Sequence, residues 1–71
     1  MVEVTASCDG EIQEIGVGIG DIVRRNQELM MIASCELSTL ILATESGVVQ
    51  RISVKSGDRV KAGQILAYIE T

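Results

Sequence analysis

Seventy-one residues, 46% hydrophobic and 23% charged with a net charge of −4, describe one globular domain (1–71) too short to divide its core in two. The acidic balance gives the surface no attraction for phosphate backbones or anionic lipid, and Tyr68, the lone aromatic, offers no stacking platform for bases, so neither nucleic acid nor membrane is an expected partner. Two cysteines without a histidine cannot complete a zinc site with the usual donors, and no histidine or phosphate-binding glycine loop gives catalysis a foothold, so the chain is expected to be no enzyme and to hold no metal.

No apolar stretch reaches about 18 residues, and Met1 leads into Val2, Glu3 and Val4 rather than a basic start and an apolar run. The expectation is a soluble, unexported, cytoplasmic chain with both thiols reduced. The apolar residues are mostly Ile, Val and Leu, which suit a thin, tightly curved sheet sandwich better than a helical core.

The chain repeats itself. Shifted by 37 residues, Ala6 to Ile32 lies on Ala43 to Ile69 without a gap. Identical pairs are Ala6/Ala43, Gly10/Gly47, Gln13/Gln50, Ile15/Ile52, Val17/Val54, Gly20/Gly57, Asp21/Asp58, Val23/Val60, Gln27/Gln64, Leu29/Leu66 and Ile32/Ile69. Two units are too few for a solenoid, so the halves are expected to face each other about a pseudo-two-fold axis and bury a shared core.

In chain order, Gly10 opens the second strand of the first half, and Ile15 with Val17 alternates as a half-buried strand does. Gly20-Asp21 then breaks the strand. Gly20 is free to take positive φ, and Asp21 is expected to hydrogen-bond the backbone just after the turn. From Glu28 to Ala43 the apolar residues also fit a helical stripe, but Leu29 to Ile32 repeats as Leu66 to Ile69, which is too near the chain end for a stable helix. Strands are therefore predicted over Glu28 to Ala33 and Thr39 to Ala43, joined by a hairpin tip at Ser34 to Ser38. Met30 and Met31 are adjacent, so alternation sends one of them inward. The second half repeats the signals: Gly47 opens a strand, Ile52 and Val54 alternate, and Gly57-Asp58 turns. By the shift, the tip corresponds to the meeting point of the chain ends, and tip and termini are expected at opposite ends.

The run Gly16-Val17-Gly18-Ile19-Gly20-Asp21-Ile22-Val23, then Gln27-Glu28-Leu29, Ala43-Thr44-Glu45-Ser46-Gly47-Val48-Val49, and Val54-Lys55-Ser56-Gly57-Asp58-Arg59-Val60-Lys61-Ala62-Gly63-Gln64-Ile65-Leu66 resembles the biotinyl and lipoyl attachment domains. These are the swinging-arm carriers of biotin-dependent carboxylases and 2-oxo-acid dehydrogenase complexes. The resemblance implies an all-β flattened barrel, a barrel-sandwich hybrid of two four-stranded antiparallel sheets. It also implies protein partners of the carboxylase or dehydrogenase-complex kind.

The family attaches biotin or lipoate to one lysine at the hairpin tip, within Glu-Ala/Ser-Met-Lys-Met or Glu-Ser/Thr-Asp-Lys-Ala. Counted back from Gly47, that motif falls on Ala33, Ser34, Cys35, Glu36 and Leu37, with Glu36 at the lysine position. A carboxylate cannot form the amide that holds either cofactor, so none is expected. Lys55 and Lys61 sit beside the Gly57-Asp58 turn, where lysine serves solubility and blunts edge pairing. Cys35 invites a thiol-carrier reading, but the neighbouring carboxylate disfavours the thiolate.

Three functions follow from the resemblance: a protein-interaction module that keeps the fold without the arm, a carrier whose lysine has been lost or replaced, and a thiol carrier acting through Cys35. Cys35 and Leu37 are closer to the biotinyl Met pair than to the lipoyl Asp and Ala. Membrane-fusion proteins also contain lysine-free domains similar to this one, but with a long helical insertion at the tip that this chain lacks.

Overall fold

The computed structural model describes residues 1–34 and 38–71. Cys35, Glu36 and Leu37 lie outside the described residues. Eight strands follow one another: β1 (Val2–Thr5), β2 (Gly10–Ile15), β3 (Ile22–Val23), β4 (Glu28–Ala33), β5 (Ser38–Leu42), β6 (Gly47–Ile52), β7 (Arg59–Val60) and β8 (Ile65–Glu70). They form two antiparallel four-stranded sheets ordered β1-β8-β6-β3 and β5-β4-β2-β7. Adding four to every strand number turns one order into the other, with β8 passing to β4 and β6 to β2. The pseudo-two-fold axis therefore exchanges the sheets, and each sheet takes strands from both halves of the chain.

The core consists of seven equivalent buried pairs, Val4/Ile41, Ala6/Ala43, Ile12/Val49, Val23/Val60, Leu29/Leu66, Met30/Ala67 and Ile32/Ile69, together with Val54, whose counterpart Val17 packs against it half-buried. Volumes are traded across the axis, with Met30 against Ala67 and Ile41 against Val4, as close packing of a shared interior permits. Burying each of the larger aliphatic side chains contributes about 1.5–3 kcal/mol. Among the described residues no polar or charged side chain is buried.

Strict alternation is interrupted at two sites in each half. Ile12 pairs with Ile32 and Glu14 with Met31, leaving Gln13 as the extra residue of a β-bulge; Val49/Ile69 and Arg51/Tyr68 leave Gln50 in the same role. Leu29 is likewise extra between Glu28/Leu42 and Met30/Ile41, as Leu66 is between Val4/Ala67 and Thr5/Ile65. Each of these bulges turns two consecutive side chains inward, Leu29 with Met30 and Leu66 with Ala67. That doublet, and not a helix, produces the helix-like spacing in this stretch. Met30 is the inward methionine and Met31 is half-buried on the other face.

Two details differ from the sequence expectation. β5 runs from Ser38 to Leu42 rather than Thr39 to Ala43, because Ala43 already belongs to a separate backbone pair, exchanging hydrogen bonds with Asn26 and Gln27. Val17 and Val54 lie past the ends of β2 and β6. There the Gly16 and Ser53 N–H groups donate to the Leu29 and Leu66 carbonyls at 2.8 Å and draw the chain onto the neighbouring strand.

Candidate functional site

The tip is positioned by β4 and β5. Ala33 pairs with Ser38, so four residues, 34–37, connect the two strands, and Glu36 is third among them. Beside Ala33 lies Glu11 of β2, which pairs with Arg59 of β7, while Gly10 pairs with Val60. The tip is thus backed by strands from both halves. An open recess of about 550 Å³ sits there, bordered by Asp9, Glu11, Ser34, Arg59, Lys61 and Gln64 among others. Among the described residues its ionisable groups are two acids and two bases.

Close approach of backbone explains Gly10. A Cβ there would stand 2.5 Å from Ile32 Cγ2 and 2.6 Å from the Ala33 carbonyl oxygen, well inside contact distance. Gly47 meets the same obstacle at the other end, against Ile69 Cγ2 and the Glu70 carbonyl. The loop before β2 is fixed by Asp9, whose Oδ1 accepts from the Ala62 N–H at 2.7 Å; the equivalent bond in the other half runs from the Arg25 N–H to Ser46 Oγ at 3.1 Å. Gln64, which borders the recess, immediately precedes β8, and β8 then runs six residues, about 20 Å, to Glu70, whose neighbour β1 begins at Val2. The Ala33–Ser38 end of the β4–β5 hairpin and the termini therefore occupy opposite ends of a molecule 33 Å long and 19 Å wide.

Gly20 and Gly57 take φ of 93° and 95° in equivalent turns, as their sequence position predicts. In both turns the residue before the glycine has negative φ, and the Asp21 and Asp58 N–H groups donate to the Gly18 and Lys55 carbonyls, which makes them type II turns. The aspartates act in the opposite direction from the one expected. Asp21 Oδ2 accepts from the Gly18 N–H at 2.8 Å and Asp58 Oδ2 from the Lys55 N–H at 3.0 Å, so each carboxylate clamps the first residue of its turn. Each side chain folds back across three residues to reach that donor. The turns also cross the axis, because Gly20 N–H donates to the Val49 carbonyl and Gly57 N–H to the Ile12 carbonyl.

A second turn pair was not legible as such in the sequence. Asn26 and Gly63, at φ of 70° and 86°, are equivalent, and Gln27 Oε1 and Gln64 Oε1 clamp the Arg24 and Lys61 N–H groups as the aspartates do. The identical Gln27/Gln64 pair was the available signal. Lys61 was read only as a turn neighbour and Arg59 was given no role, whereas β7 pairs with β2 and brings both to the recess beside Ser34. Lys55 instead belongs to the Asp58 clamp. Cys8 is a free, half-buried thiol packed against the core. Among the described residues no three His, Cys, Asp or Glu side chains group as metal ligands. The Glu36 and Cys35 positions lie outside the described residues.

The family model described as "RND MFP, barrel-sandwich hybrid domain" matches residues 1–71. It does so although only four residues separate β4 from β5, so the lack of a helical insertion does not set the chain apart from that model. The chain is 30% identical over 63 residues to the biotin/lipoyl attachment protein of Bacillus subtilis, covering 89% of itself and 86% of that protein. It is 31% identical over 67 residues to pyruvate carboxylase of Staphylococcus aureus, covering 94% of itself and 6% of the enzyme. The urea carboxylase of Kluyveromyces lactis superimposes with a TM-score of 0.90 at 28% identity, over 97% of this chain and 6% of the enzyme. The chain thus spans 6% of each of these two carboxylases and most of the attachment protein. Two sheets exchanged by an internal two-fold axis and these matches agree: the chain belongs to the biotinyl/lipoyl attachment domain family.

Proposed function

We propose that this domain is a non-catalytic docking module that keeps the carrier fold without the carrier's covalent arm. The observation that supports it is the identity of residue 36. The Ala33–Ser38 pair leaves four connecting residues, and counting back from Gly47 gives the family's lysine position to Glu36. A carboxylate offers no amine for biotin or lipoate. The wholly apolar core among the described residues supports the non-catalytic reading, since an acid–base site needs a partly dry pocket that separates two pKa values. Partners are proposed among proteins of the carboxylase or dehydrogenase-complex kind, because relatives are parts of such assemblies.

A second reading draws on the full-length match to the RND MFP model: a barrel-sandwich hybrid domain of a membrane-fusion protein, also working without a cofactor. Both readings make the same chemical prediction. Incubated with a biotin ligase, biotin and ATP, the wild-type chain keeps its unmodified intact mass, and a variant carrying A33E, C35M, E36K and L37M gains the mass of one biotin. Labelling of the wild type would overturn the armless reading; failure of the folded variant to label would overturn the placement of residue 36.

A further inference from the structure

The repeat is an internal control for side chains that the fold itself does not require. β1 and β5 are equivalent, and each forms the edge of its sheet. Val4 and Ile41 point into the core, which leaves Glu3 and Thr5 on the outer face of β1 and Leu40 and Leu42 on that of β5. A charge in mid-strand is the usual guard against pairing with another chain. β1 has one in Glu3. β5, Ser38-Thr39-Leu40-Ile41-Leu42, has no charge and no proline, and its two outer leucines are 44% and 41% exposed. The same architecture is thus built with a guarded edge in one half and an unguarded, apolar edge in the other.

The surface beside β5 is specialised too. By register, Leu40 lies next to Met31 and then Glu14, and Leu42 lies next to Glu28. A groove of about 220 Å³ opens between them, with Leu29, Met30, Met31 and Leu40 lining it and Glu14 and Glu28 as its carboxylates. The counterparts of Glu14, Glu28 and Met31 in the other half are Arg51, Ile65 and Tyr68, so the pairing of two acids with an apolar floor occurs once.

We propose that β5 is a docking edge for an extended segment of a partner protein, which adds as a fifth strand to β5-β4-β2-β7 and carries Lys or Arg at alternate positions. Main-chain hydrogen bonds along the open edge supply affinity, and the outward side chains supply specificity. Strands lie about 4.8 Å apart, so a basic residue on the added strand stands two spacings, about 10 Å, from the backbone of Glu28, within the joint reach of an arginine and a glutamate side chain. Its methylene stem covers Leu42 while its head meets the carboxylate, an arrangement that suits long basic side chains. A second copy of this chain fits less well, since each copy carries −4 and pairing β5 with β5 brings both sets of Glu14 and Glu28 toward one another.

This inference rests on the docking-module reading, and its test is independent of the ligase assay. The ¹⁵N-labelled chain is titrated with acetyl-Lys-Val-Lys-Val-Lys-Val-Lys-amide and with the same peptide bearing Glu for Lys, at low and physiological salt. The basic peptide should shift the amides of Ser38–Leu42 and β4, bind at least about tenfold more tightly than the acidic one, and weaken as salt rises. L40E, which copies the guard of β1 onto β5, should weaken binding about tenfold or more with Tm little changed. E14Q/E28Q leaves the core untouched and should remove most of the salt dependence. Equal binding of the two peptides, shifts centred on β1, or no shift up to about 1 mM peptide overturns the proposal. Concentration-dependent broadening at β5 without peptide, abolished by L40E, would assign the edge to a second copy and overturn it as well.

Discussion

Residues 6–32 and 43–69 build the same arrangement twice, and the places where they agree and differ separate two kinds of position. Agreement falls where the backbone does something particular: Gly10/Gly47 where two strands nearly touch, Gln13/Gln50 and Leu29/Leu66 at the bulges, Gly20/Gly57 at positive φ, Asp21/Asp58 and Gln27/Gln64 as clamps. Changes of chemical character fall on the outer faces, as in Leu40 against Glu3, Met31 against Tyr68 and Ile22 against Arg59, while differences in the core, such as Met30 against Ala67, stay apolar. Ile22 is 77% and Ile19 68% exposed, and their counterparts Arg59 and Ser56 are polar. The duplicated chain thus marks which side chains serve the barrel and which are free to serve partners.

The comparison breaks most readily at the close-approach glycines. Gly47→Ala should cost about 2 kcal/mol or more in urea unfolding, since the added carbon meets a backbone carbonyl that cannot withdraw without loosening the neighbouring strand. Gly10→Ala should do nearly as much harm, and a loss below about 0.5 kcal/mol at either site would mean that the strands part easily there. Next come the turn glycines. Gly20→Ala and Gly57→Ala should each lose about 1 kcal/mol, equally in the two halves, because nothing stands near the new Cβ and the penalty is conformational alone. Unequal losses in thermal or urea melts would show that one turn is held by more than its dihedrals. Smallest is the swap at the second turn. Asn26→Gly should gain about 0.5 kcal/mol, relief of left-handed strain partly offset by added freedom in the unfolded chain, and Gly63→Asn should lose a similar amount. Differential scanning calorimetry resolves opposite signs more surely than sizes.

The repeat made the fold legible, since a gapless shift leaves no room for loops of different length, and it decided strand over helix between Glu28 and Ala43. The bulges were not legible. Gln13 and Gln50 were visibly identical, but a residue that exists to be unpaired leaves no hydrophobic period, and the consecutive buried Leu29 and Met30 imitate a helix for the same reason. Asp21 and Asp58 were recognisable as turn residues, while the direction of their hydrogen bonds, back across three residues, was not. At the tip, the position of Glu36 came from counting along one chain. Arg59 and Lys61 join that neighbourhood only through the pairing of β7 with β2, a contact between halves that no local pattern announces.

That crossing of halves bears on how the molecule comes into being. β8, residues 65–70, is an inner strand of its sheet, lying between β1 and β6. A chain emerging from the ribosome amino end first therefore presents β1 with no neighbour in its sheet until β8 is made. The first half can bring β2, β4 and β5 together early, but its inward faces stay open to solvent until the second half covers them. Folding is then a single late event governed by distant pairings, of the kind that proceeds slowly for a domain so small. Until then β5 has no charge of its own to keep it from pairing with another chain.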